Sequence, residues 1–206
     1  MTHHGTWCEA CDAAMPYHNA PHCPICARIT PAGEVCGHCL KKPPAFSRTV
    51  ALFGYDFPAD RLILAMKYNE QLALARMFAR KLSQRVDQSR LPDQVIAMPL
   101  HPARLKSRGF NQAQLIAAPL ARSLDLPLIN HACKRLRDTP SQTSLPFTER
   151  VKNMRDAFAC DADFTGKHVA LIDDVMTTGA SMNALAKAVR KCGATDISAW
   201  VAARTG

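Results

Sequence analysis

At 206 residues the chain has room for one α/β domain of common size and a small additional module. A formal charge of +9 favours acidic partners such as phosphates or nucleic acid. No run approaches the roughly 20 apolar residues that cross a bilayer, and MTHHGTWCEACDA lacks a basic region followed by an apolar one, so a soluble cytoplasmic protein without membrane insertion is expected.

Six of the nine cysteines form the C-x-x-C pairs Cys8/Cys11, Cys23/Cys26 and Cys36/Cys39. In a chain read as cytoplasmic, such pairs indicate metal rather than disulfides. Two thiolates two residues apart grip one Zn²⁺ from a tight turn, and two such knuckles complete a tetrahedron. Cys23-Pro24-Ile25-Cys26 and Cys36-Gly37-His38-Cys39 have the look of a short zinc ribbon, which makes Cys23, Cys26, Cys36 and Cys39 the expected structural zinc ligands. Cys8 and Cys11 with His18 and His22 would complete a second site, and a site built from Cys8/Cys11 with Cys23/Cys26 stays open as well. Lys41-Lys42-Pro43-Pro44 reads as a linker, dividing a cysteine-rich module, residues 1–44, from a domain over 45–206.

Thr49 to Tyr55 is predicted as a strand. Ala59 to Val86 is helical, with Leu74, Met77, Phe78 and Leu82 on one apolar stripe and a break at Lys67-Tyr68-Asn69. Val95 to Met98 is a short strand that stops at Pro99, followed by a basic loop carrying Arg104, Lys106 and Arg108. Asn111 starts a helix that runs to about Leu124, with Pro119 inside it. Leu128 to Ala132 is predicted as a further strand. It leads into a polar loop carrying Arg135 and Arg137, suited to closing over a polyphosphate. Another helix is expected from Thr148 to Arg155, and a last strand from Asp196 to Ala202.

Between them lies the most informative stretch, Val169 to Ser181. An apolar strand, His168 to Ile172, leads into Asp173-Asp174, then Thr177-Thr178-Gly179-Ala180-Ser181, then a helix from Ser181 to Cys192. The helix start leaves backbone N–H groups unpaired at the positive end of its dipole. Thr177, Thr178 and Ser181 add hydroxyl donors, and Gly179 removes the Cβ that would keep a phosphate from the backbone. The two acids sit too close to that anion site to bind the same phosphate and call for sugar hydroxyls or a bound Mg²⁺. A basic loop after another parallel strand would lie on the same rim of the sheet and could hold a pyrophosphate.

This segment resembles the phosphoribosyl-pyrophosphate (PRPP) motif of type I phosphoribosyltransferases. Three further segments are similar to the ComF family, which also includes proteins called GntX: CGHCLKKPP at Cys36 to Pro44, RGFNQA at Arg108 to Ala113, and the run from Lys134 ending in N-x-x-x-A-F at Asn153 to Phe158. Longer ComF members carry four cysteine pairs, where this chain has three. The resemblance implies an α/β type I phosphoribosyltransferase fold, a parallel sheet flanked by helices, behind a zinc finger. It also implies a link to natural transformation, with single-stranded DNA and the DNA-uptake machinery as partners. Carried onto this chain, Asp173 and Asp174 would take the ribose hydroxyls of Mg²⁺-bound PRPP, residues 177–181 the 5-phosphate, and Arg104, Arg108, Arg135 and Arg137 the pyrophosphate. No segment names the acceptor.

Overall fold

A computed structural model of the protein describes residues 8–68, 71–137 and 157–206. Four strands, β1 (Arg48–Gly54), β2 (Gln94–Ala97), β5 (His168–Met176) and β6 (Asp196–Arg204), form one sheet in the order β1-β6-β5-β2. Every pairing within it is parallel. Such strands are covered on both faces, which explains the nearly unbroken apolar runs VALI in β5 and ISAWVAA in β6.

The helices follow from their stripes and caps. In α4 (Ala73–Ser83), Leu74, Met77, Phe78 and Leu82 are all buried, as the spacing predicts, and α4 is separate from α3 (Ala59–Tyr68). Helix α6 (Gln112–Ser123) starts at Asn111, whose Oδ1 accepts from the Ala113 N–H at 3.0 Å, and it continues through Pro119. Asn111 Nδ2 also donates to the Met98 carbonyl at 3.0 Å, which ties the helix start to the end of β2. Helix α7 (Ala180–Lys191) joins β5 to β6.

Three expectations change. The basic segment after β2 is a short helix, α5 (Pro102–Arg108), because His101 Nδ1 caps it, Pro102 fits the first turn and Gly109 ends it at φ 81°. Leu128 contributes only a single parallel bridge to Val95, and the strand lies further on as β3 (Cys133–Arg135). Strand β3 pairs antiparallel with β4 (Phe158–Cys160), and a disulfide joins Cys133 to Cys160. Lastly, β5 does not stop at Ile172 but carries both acids to Met176, because β6 runs beside it as far as Arg204. The helix expected from Thr148 to Arg155, and most of the polar loop before it, lie outside the described residues.

Near the amino end are two short helices, α1 (Glu9–Ala13) and α2 (Gly37–Lys41). Met15, Ala27 and Phe46 join the same apolar core as the sheet. Among the described residues no helix is long and apolar enough to cross a membrane.

Candidate functional site

The chain leaves β2 for α5, α6 and the Leu128 bridge on one side, and leaves β5 for α7 and β6 on the other. The crevice between the carboxyl ends of β2 and β5 is therefore where strand order reverses, the usual ligand position in open α/β sheets. Strand β2 ends with Ala97 opposite Ile172, one residue short of the acids. With no strand on that side, the Asp174 N–H is taken by Asp173 Oδ1 at 2.9 Å and the Val175 N–H by Asp174 Oδ1 at 2.7 Å.

Asp174 is buried, and its Oδ2 lies 2.8 Å from Lys67 Nζ, delivered by the last turn of α3. Burial weighs against the Lys67 ammonium, but Asp174, and more weakly Asp173, hold its pKa above the ordinary range. Among the described residues no cation pairs with Asp173. Burial first, and the Asp174 charge second, push its pKa well above 3.8. One acid is thus neutralised internally, and the other has no such ion pair among the described residues.

Beyond β5, Gly179 adopts φ 78° and opens α7. A Cβ there would meet only Met176 Sδ at 3.7 Å and Phe46 Cζ at 3.9 Å, so the backbone angle, not space, is what calls for glycine. The Thr178 hydroxyl accepts from the Ala180 N–H at 3.3 Å. The strand end, loop and helix start thus bring Asp173, Asp174, Thr177, Thr178, Gly179, Ala180 and Ser181 together in one short stretch.

The arginines divide. Arg108, at the end of α5, stands 5.3 Å from the Tyr68 ring, beside the lysine that pairs with Asp174. Arg104 is one turn earlier on α5. Arg135 lies 5.5 Å from the Phe158 ring and donates to the Arg137 carbonyl at 3.3 Å. Phe158, His38, Lys42, Phe46, Gly179 and Lys187 line a groove of about 980 Å³ between the cysteine-rich region and α7.

Cys23, Cys26, Cys36 and Cys39 converge with all four sulfurs within 4.8 Å of one another. Cys26 Sγ and Cys36 Sγ are 3.7 Å apart. Tetrahedral ligation at about 2.3 Å requires a sulfur–sulfur separation of about 3.8 Å, so the cluster fits a four-thiolate metal. Burial opposes the Cys23 thiolate, but backbone N–H groups, that of Cys36 foremost, bring its pKa down to about 7. Among the described residues no cluster gathers Cys8 and Cys11 with His18 and His22, or with the other pairs. Both thiols are exposed, Cys8 just before α1 and Cys11 within it, and α1 is held elsewhere, by Asp12 to Lys81 Nζ at 2.6 Å and to the Tyr17 hydroxyl at 2.7 Å. His18 is drawn to β1 instead, its N–H donating to the Leu52 carbonyl at 3.0 Å.

Residues 105–206 match the family described as phosphoribosyl transferase domain. Competence protein F of Haemophilus influenzae is 34% identical over 207 residues, covering 96% of this chain and 90% of that protein. The chain belongs to the ComF family. Other ComF-related proteins include "DNA utilization protein YhgH" of Salmonella typhi, 33% identical over 100% of this chain and 92% of its own length. Competence protein ComFC of Streptococcus pneumoniae is 27% identical over 94% of this chain and 85% of its own.

Two residues of this ComF chain's site escape the motifs. Lys67 sits in an otherwise apolar helix end, LILAMKY, where a charge against a buried face implies a partner. Arg204 closes the apolar run of β6 and is itself buried. Neither pattern names its partner, because both contacts span more than a hundred residues of chain.

Proposed function

We propose that the crevice binds Mg²⁺-bound PRPP, or another phosphorylated ribose. In this reading residues 177–181 take the 5-phosphate and Asp173 and Asp174 the ribose hydroxyls. Arg104, Arg108, Arg135 and Arg137 are the cations for the pyrophosphate. The observation that carries the reading is the acid pair at the reversal of strand order, with Lys67 neutralising one carboxylate and the helix start of α7 directly behind it. The matching reaction class is pentosyl transfer. A nucleophile forms a bond to C1 as the C1–O bond to pyrophosphate breaks, and the leaving group departs with the electron pair. Positive charge spreads over the ribose ring, so positioning and charge stabilisation supply most of the catalysis.

The same reading assigns Zn²⁺ as a structural metal to Cys23, Cys26, Cys36 and Cys39, and Mg²⁺ to the diphosphate of the substrate. It divides the chain at residue 44 into a zinc module and a transferase domain, and places both in the cytoplasm. The names of the relatives support a role in competence and DNA uptake. A second reading, single-stranded DNA handling, is favoured by the groove beside the cysteine cluster, where His38, Lys42, Lys187 and Lys191 surround Phe46 and Phe158.

Titration of PRPP with Mg²⁺ into the wild type and the Asp173→Ala/Asp174→Ala variant tests the first reading. Wild-type binding lost in the variant is expected, and no wild-type heat would sink it. A single-strand binding curve at several salt concentrations tests the second, since phosphate contacts must weaken as salt rises.

A further inference from the structure

Arg204 is only 3% exposed, and among the described residues no carboxylate pairs with it. Its acceptors come from two regions distant in sequence. Nε donates to the Cys26 carbonyl at 2.9 Å, on the second cysteine knuckle. Nη1 faces the Met176 carbonyl at 3.2 Å and the carbonyls of Thr177 and Thr205, the first two at the entrance to the phosphate loop. One guanidinium therefore bolts a metal-ligand loop to the loop read as the phosphate cradle.

Its electrostatics point the same way. A buried guanidinium whose partners are carbonyls and the Thr205 hydroxyl, with no carboxylate among them, needs a negative charge nearby. A divalent ion held by four thiolates leaves two net negative charges in the cluster. Around the clamp the contact is rigid. The Ala45 N–H donates to Asn183 Oδ1 at 2.7 Å, Arg190 Nη2 donates to the Ala45 carbonyl at 3.0 Å, and the Thr49 hydroxyl donates to the Ile25 carbonyl at 2.6 Å.

We infer that Arg204 is a positioning residue that couples the cysteine cluster to the phosphate loop, so that metal loading and pentose-phosphate binding strengthen each other. The inference rests on the reading of residues 177–181 as a phosphate site. Coupling of this kind is reciprocal and amounts to roughly 5-fold to 150-fold in affinity.

The test uses the full chain, ribose 5-phosphate as probe, and zinc affinity measured by competition with a chromophoric chelator. Saturating ribose 5-phosphate should tighten wild-type zinc binding by at least about 5-fold. Arg204→Met should hold zinc more weakly, lose that response and bind the sugar phosphate less tightly by a similar factor, while Arg204→Lys, which keeps the charge, should fall between. A wild type that binds the probe with unchanged zinc affinity overturns the coupling, and this arm needs no variant to fold. A wild type that does not bind the probe overturns the phosphate-site reading itself; equal zinc affinity in wild type and Arg204→Met would then dispose of the clamp independently.

Discussion

The cysteine cluster and the acid pair pose the same electrostatic problem and solve it differently. Both gather groups that repel one another when ionised. The cluster packs four sulfurs within 4.8 Å, with one buried guanidinium, that of Arg204, held on the Cys26 carbonyl. One guanidinium cannot balance four thiolates, so a metal cation is needed as well, and a closed set of four ligands then leaves no position for chemistry. The acid pair has a resident cation, Lys67, which forms an ion pair with Asp174 and acts on Asp173 only through its charge. Asp173 has no ion pair among the described residues, and in the proposed reading that makes the crevice, rather than the cluster, the place for a ligand. A structural site is saturated by its own ligands; a binding site is left one partner short.

The sharpest way to break this contrast is to open the closed site. Cys39 is 2% exposed, and Cys39→Ala should drop zinc from about one per chain to near none by atomic absorption. The stability loss should be on the order of 5 kcal/mol or more in denaturant unfolding, because the metal's binding energy is folding energy. Next in size is Lys67→Met, which strands a buried carboxylate. Both side chains are mostly buried, at 19% and 11% exposure, so a loss of about 3–5 kcal/mol is expected from urea unfolding at neutral pH. If the variant is as stable as the wild type, Lys67 is not the internal cation.

Gly179→Ala should cost about 1–2 kcal/mol, since alanine must take φ 78° while meeting only ordinary contacts. Weaker binding of ribose 5-phosphate should accompany it, measured by calorimetry. The last prediction has the opposite sign. Folding raises the Asp173 pKa, so ionising this acid costs stability as pH climbs from 3.8 through the raised folded value. Asp173→Asn should therefore make the protein more stable at neutral pH and flatten that part of the stability profile. The same change should weaken pentose-phosphate binding by about 10-fold, the worth of a charged hydrogen bond. A variant that is destabilised at neutral pH would show that Asp173 has a partner inside the protein after all.

Much of this was legible because the signals are local. The knuckles depend on two-residue spacings, the phosphate loop on a strand, a glycine and a helix start in direct succession, and α4 on a stripe within eleven residues. What misled the reading was also local. Apolar content ended β5 at Ile172, yet two aspartates are tolerated in a strand when the neighbouring strand β6 continues and one carboxylate finds a lysine. The basic run before Gly109 looked like a loop until its His101 cap and Pro102 start were seen to close a helical turn.

The sequence alone determined the parts: the C-x-x-C spacings, where two acids meet a hydroxyl-rich loop, and that parallel strands alternate with helices. Only the tertiary structure decided how they are wired. It brought Lys67 to Asp174, set the crevice between β2 and β5, and buried Arg204 between Cys26 and Thr177. Spacing along a chain encodes contacts within a turn or two, whereas a buried charge must find its counterpart wherever the packed core delivers one, and that choice exists only once the chain has folded.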